Sequence, residues 1–257
     1  MILSILEQME MRKMIKEQIA ACCKTLKLSQ NIADNFESIE AENRHEFLLK
    51  ILQNEVEYRK AKKIERLIKQ AKFYTIKTFE GYSFDEIRIP SGLSIEDLKT
   101  GTFIEKNENL ILYGAAGTGK SHLATAIGLE ACRQRKSVLF FRTATLVNQL
   151  SKAKEEGKLD KLFKKIEKAD LIICDEWGYI PLDREGSQLL FQIISDCYEK
   201  KSLIITTNLE FSKWANIFYD EQMTAALIDR LVHHSHLLVF PGDSHRIKNS
   251  LMKGAQN

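Results

Sequence analysis

Apolar residues recur at three- and four-residue intervals through the first 77 positions, a stretch with neither Pro nor Gly, and this period predicts helices. Three are expected, over about 2–24, 29–37 and 42–72, with Ser29 placed to cap the second. Within 44–70, Phe47, Leu48, Ile51, Leu52, Val56, Ile64, Leu67 and Ile68 can share one side of a helix. The pattern breaks at residues 73–108, where Gly81, Pro90, Gly92 and Gly101 predict a linker carrying one short helix near 94–99.

From residue 109 the pattern becomes short apolar runs separated by helical stretches. Strands are expected at NLILY (109–113), SVLFF (137–141), LIICD (171–175), SLIITT (202–207) and LLVF (237–240). Helices fall between them at about 120–134, 144–155, 158–168, 185–200 and 221–234. Continuous apolar strands alternating with helices predict an α/β fold, a parallel five-stranded sheet covered on both faces. The expected domains are therefore a small all-helical N-terminal domain (1–77), a linker (78–108) and a nucleotide-binding domain (109–257).

Composition adds exclusions. No apolar run approaches the roughly 18–20 residues that cross a bilayer. The N-terminal stretch carries acids and no small-residue cleavage site, so neither a signal peptide nor a membrane anchor is expected. Five cysteines (Cys22, Cys23, Cys132, Cys174 and Cys197) have no metal-ligand spacing, and an odd number does not suit a disulfide framework, so a cytoplasmic protein with reduced thiols is expected. The net charge of +3 is uneven: residues 1–54 and 78–257 each carry −1, while residues 55–77 carry +5. That stretch, YRKAKKIERLIKQAKF, places Lys62, Arg66 and Lys69 on one helical face with Arg59 and Lys63 nearby, an arrangement suited to phosphate contact without base reading, with a solvated helix face as the plainer alternative.

The segment Gly114-Ala115-Ala116-Gly117-Thr118-Gly119-Lys120-Ser121 fits the phosphate-binding loop G-x-x-x-x-G-K-[ST], and it lies where that loop belongs, between a strand and a helix. Its backbone N–H groups and the helix N-terminus attract phosphate, Lys120 adds a point charge, and Ser121 can coordinate Mg²⁺. His122 follows directly and is grouped with the loop as a nucleotide contact. LIICDE ends an apolar strand in Asp175, a second candidate Mg²⁺ ligand, and Glu176, a candidate base for the attacking water. No guanine-reading N-K-x-D motif is present, so ATP is the expected nucleotide. Asn208, after the strand SLIITT, is a candidate sensor of the γ-phosphate or the lytic water, with capping of the following helix as the plainer alternative. Arg230, on a predicted helix, is a candidate arginine finger reaching a neighbouring subunit's site, with surface pairing to Asp229 as the plainer alternative. Arg246 is a candidate second sensor. His233, His234 and His236 do not converge on one ion at helical spacing, and no Cys or carboxylate is expected to complete a set, so a structural or surface role is expected for them. Trp177 is expected to pack under the loop that follows it.

The runs DEWGYIPLDREGSQLLFQII, IITTNLEFSKWANIF, AALIDRLVHHSH and GDSHR closely resemble the IstB-like helper ATPases of bacterial insertion sequences, relatives of the helicase loader DnaC. The similarity covers roughly residues 70–250. It implies an AAA+ P-loop core without a C-terminal lid, ATP-dependent self-assembly on double-stranded DNA, and partnership with a cognate transposase. The motif roles carried over are Lys120 for the Walker lysine, Asp175 for the metal-binding acid, Glu176 for the catalytic glutamate, Asn208 for the sensor and Arg230 for the finger. Trp177 departs from the smaller apolar residue more frequent there. The alternatives are a DnaC-like helicase loader and a nucleotide-gated switch that scarcely hydrolyses ATP.

Overall fold

The computed structural model describes residues 2–179, 181–218 and 220–248, with the side chains of 2–6 and 248 left aside. The expected extension of the nucleotide-binding domain over 249–257 lies outside the described residues. The chain forms two compact units, Met1–Arg66 and Leu67–Asn257.

The first unit is helical, as the uninterrupted three-four periodicity requires. It holds α1 (Ile2–Thr25), α2 (Asn31–Asn35) with a following 3₁₀ turn Phe36–Ser38, and most of α3 (Arg44–Ala71). Ser29 does not cap α2: Gln30 holds the N-cap position without a side-chain bond. Ser29 instead donates its backbone N–H (2.8 Å) and its hydroxyl to Glu55. Arg59 Nε completes the carboxylate's partners at 2.6 Å. Burial alone would raise the Glu55 pKa, but the Ser29 and Arg59 hydrogen bonds outweigh it and hold the carboxyl below its usual range. The expected apolar stripe on α3 is only partly used, since Leu48, Leu52 and Val56 are exposed.

The second unit is built on a five-stranded parallel sheet in the order β2-β3-β4-β1-β5. Its strands are β1 (Asn109–Gly114), β2 (Val138–Arg142), β3 (Leu171–Trp177), β4 (Ser202–Thr207) and β5 (Ser235–Phe240). Side chains alternate between the faces. Leu139, Phe141, Ile172, Cys174, Leu203 and Ile205 enter one core with Leu146, Leu150, Leu190 and Ile193. Val138, Phe140, Leu171, Ile173 and Ile204 enter the other with Leu123 and Ile127. Apolar demand on both faces explains why these strands read as unbroken hydrophobic runs. The covering helices are α6 (Lys120–Arg133), α7 (Thr143–Glu155), α8 (Leu159–Glu167), α9 (Arg184–Cys197) and α10 (Glu221–His233).

Residues 78–108 are not a free linker. Helix α4 (Ile95–Thr100) starts at a capping box in which Ser94 and Asp97 each bond the other's backbone N–H, and α5 (Thr102–Glu105) follows at once. Leu93, Leu98, Phe103 and Ile104 are buried in the second core. Upstream, Arg88 and Val239 exchange backbone hydrogen bonds of 2.9 and 3.1 Å, adding an antiparallel bridge beside β5. No described helix is long and apolar enough to cross a membrane.

Candidate nucleotide site

The residues of interest meet where strands β1, β3 and β4 end, the rim at which open α/β sheets bind ligands. A cleft of about 1000 Å³ opens there. On its floor the loop from Gly114 to Gly119 wraps between β1 and α6. Two of its glycines are required by their surroundings. At Gly114 (φ 155°) a Cβ would run into the Phe240 carbonyl, and at Gly117 (φ 83°) it would meet the Ser244 hydroxyl. The His245 backbone N–H donates to Gly117 O at 3.0 Å, tying the loop to the short helix α11 (His245–Lys248).

Lys120 Nζ donates to the carbonyls of Gly114 (2.7 Å) and Ala115 (2.6 Å) and lies 3.4 Å from the Thr118 hydroxyl. Burial pushes its pKa down to about 8, with Asp175 opposing the shift and Arg246 reinforcing it. Ser121 Oγ donates to Asp175 Oδ1 at 2.7 Å, and the Thr206 hydroxyl donates to the same oxygen. A hydroxyl and a carboxylate side by side are hard oxygen donors of the kind that hold Mg²⁺.

Adjacent residues on a strand normally face opposite ways. Asp175 and Glu176 nevertheless both line the cleft. The β3–β4 register is irregular between Cys174 and Trp177, and Glu176 adopts φ 59°, so a bulge turns the second acid toward the first. Thr206 Oγ1 accepts the Glu176 N–H at 3.0 Å and fixes the bulge. The Glu176 carboxylate lies 3.4 Å from Arg142 Nε, and that guanidinium sits 4.3 Å over the Tyr74 ring. Arg142 is set opposite Asp175 by the β2–β3 register.

The upper wall comes from the segment preceding α4. Tyr82 OH donates to Gly119 O at 3.3 Å, and its ring lies 4.8 Å from that of His122. Burial raises the Tyr82 phenol above its ordinary value, keeping it protonated. His122 Nε2 pairs with Thr78 O at 2.8 Å, so its ring braces this wall.

The expected residues thus divide into two groups, those that line the cleft and those that do not, the latter including Gly114, Ala115 and Ala116 of the loop. Lys120, Ser121, His122, Asp175, Glu176 and Arg246 line the cleft together with the loop residues Gly117, Thr118 and Gly119. Asn208 is exposed just past β4 and is not among the lining residues; Thr206 is the β4 side chain that reaches Asp175. Arg230 is also outside the cleft: it lies half-buried on α10, 5.0 Å over the Phe191 ring of α9. No ion pair joins it to Asp229 among the described residues. Trp177 packs at full burial against Trp214 and Phe218, as expected of a residue beneath the following loop. Arg142, Thr206 and Tyr82 were not anticipated. A polar residue closing an apolar run, as in VLFFR and SLIITT, was the available signal for the first two; Tyr82 had none.

The family model described as IstB-like ATP binding protein matches residues 21–253. The chain is 36% identical over 208 residues to an ATP-binding protein of insertion sequence IS232 from Bacillus thuringiensis subsp. berliner, covering 81% of this chain and 83% of that one. It is 37% identical over 212 residues to the corresponding protein of insertion sequence IS21 from Pseudomonas aeruginosa, covering 82% and 80%. Among solved structures, DnaI superposes with a TM-score of 0.53 at 18% identity, covering 66% of this chain and 90% of that one. AMPPCP-bound DnaA from Aquifex aeolicus gives 0.53 at 20%, and there the match spans 66% of this chain but about half, 52%, of the larger protein. At these identities the structural likeness establishes a shared AAA+ fold.

Proposed function

This chain belongs to the IstB-like ATP-binding family of insertion sequences, and from that premise we propose that it is a Mg²⁺-dependent ATPase that assembles on duplex DNA and assists a cognate transposase. The observation that carries the reading is the convergence of Lys120, Ser121, Asp175 and Glu176 in one cleft, with Arg230 outside it.

The geometry supports the following roles. The loop N–H groups and Lys120 receive the phosphates, and Lys120 exchanges its bonds to Gly114 and Ala115 for phosphate oxygens. Ser121 and Asp175 would hold Mg²⁺, which would supply neutralisation of phosphate charge. Glu176 orients the attacking water once its carboxylate leaves Arg142. The Tyr82–His122 wall closes the cleft beside the loop. Arg230, which lies outside its own cleft, is assigned in this reading to the site of a neighbouring copy. Turnover then depends on self-assembly, and assembly on DNA. Exposed Lys63, Arg66, Lys69 and Lys72, which form no ion pair among the described residues, are the phosphate contacts.

Steady-state ATP hydrolysis with duplex DNA, with single-stranded DNA and with neither tests this reading. The expected result is strong stimulation by duplex, reduced by about 10²–10⁴ in Glu176→Gln while nucleotide binding persists. Stimulation by single strands alone would turn the reading toward a helicase loader. Equal turnover with and without DNA would refute the dependence on assembly.

A further inference from the structure

Three metal-ligating side chains meet at the end of the sheet opposite the nucleotide cleft, in the turn between α9 and β4 and at the junction of α10 with β5. Glu199, His233 and His234 each offer a ligand atom, and these atoms all lie within 4.8 Å of one another. His234 Nε2 is 3.1 Å from Glu199 Oε1, and the two imidazole rings stand edge to face with centroids 4.3 Å apart. We propose that Glu199, His233 and His234 form a binding site for a divalent transition-metal ion, zinc by preference.

Two imidazoles and a carboxylate are the donor set of three-ligand zinc sites that keep a fourth position open. With zinc bonds of about 2.0–2.1 Å and tetrahedral angles, ligand atoms stand about 3.4 Å apart. The present spacing therefore needs only rotamer adjustment by largely exposed side chains. The site also has an outer partner: Tyr198 OH pairs with His233 Nδ1 at 2.8 Å, a bond that is compatible with metal ligation through Nε2. His236 is not part of the set, because its Nε2 faces Glu108 Oε2 at 3.0 Å.

The expectation that no carboxylate completes a histidine set is thus corrected by the fold. Glu199 lies 35 residues from His234 and comes to it only because α9 and α10 end side by side. The backbone also leaves the helix at His234 (φ −119°, ψ 34°), which frees adjacent histidines from helical spacing. A bound ion would pin the end of α10 to the end of α9, one turn from the Arg230–Phe191 stack.

The test is zinc titration of the chelator-treated full chain against a chromophoric competitor, without nucleotide. A Cys22→Ser background removes the exposed thiol as a rival ligand. One zinc per chain is expected, with affinity weakened more than about tenfold in His234→Ala and Glu199→Gln, and about tenfold in Tyr198→Phe at unchanged stoichiometry. Zinc should also raise the melting temperature of the parent but not of His234→Ala, whose folding is checked by circular dichroism. Absence of stoichiometric binding to the parent, or equal affinity in the ligand variants, would overturn the proposal.

Discussion

Asp175 and Glu176 are neighbours in sequence and share one cavity because β3 bulges between them, and the bulge depends on Thr206 accepting the Glu176 N–H. The pair was legible from the sequence because two acids ending an apolar strand form a local pattern. The bulge was not legible, because it is created by register with β4. Arg142 was missed for the same reason: only the β2–β3 register brings it to Glu176. Lys120 illustrates what burial adds to a motif. In the free chain its pKa is lowered to about 8, chiefly by burial. Phosphate beside it favours the ammonium form, so the bound state holds the proton to higher pH. Nucleotide binding should therefore take up a proton above pH 8, and affinity should fall as pH rises through that value, by up to about tenfold per unit. Calorimetry in buffers of differing ionisation enthalpy checks this. Affinity that stays flat from pH 7 to 9.5 would contradict it.

At the scale of elements, the strands and helices of the core were readable because each apolar run serves a sheet face buried by α6 or by α7, α9 and α10. The segment before β1 was not. Its glycines and Pro90 suggest a linker, yet Leu98 and Phe103 are fully buried and Tyr82 closes over the phosphate loop. Turn residues here mark changes of direction in a packed strap. The Ser94–Asp97 capping box is the local signal for this, because a defined helix start holds Leu98 at a fixed angle to the core. Ser94→Ala should lower the stability of the chain by about 1 kcal/mol in urea unfolding. An unchanged unfolding midpoint would mean that α4 is held by its buried side chains alone. In the helical unit, periodicity located α1 and α3 but misjudged Ser29, which binds the long-range partner Glu55 in place of its own helix end.

For the whole molecule, the uneven charge is the feature that composition alone conceals. Arg59, Lys60 and Lys62 are partly neutralised by Glu55, Glu57 and Glu65 on the same helix. About four basic residues then remain for phosphate, fewer than the seven in the sequence run, and the log–log salt slope of DNA binding should be about −3.6. Fluorescence anisotropy across a salt series measures it, and a slope near zero would remove this helix from the interface. Arg230 poses the larger question, since it lies outside its own cleft and the proposed function has it serve hydrolysis in that of another copy. The most direct measurement is ATP hydrolysis on duplex DNA by Glu176→Gln and Arg230→Ala, each alone and then mixed. Each variant alone should be nearly inactive. Mixed assemblies should recover turnover, because intact Glu176 in one copy meets intact Arg230 from the other. If Arg230→Ala alone retains full activity, or if mixing restores nothing, the catalytic sites are not shared between subunits.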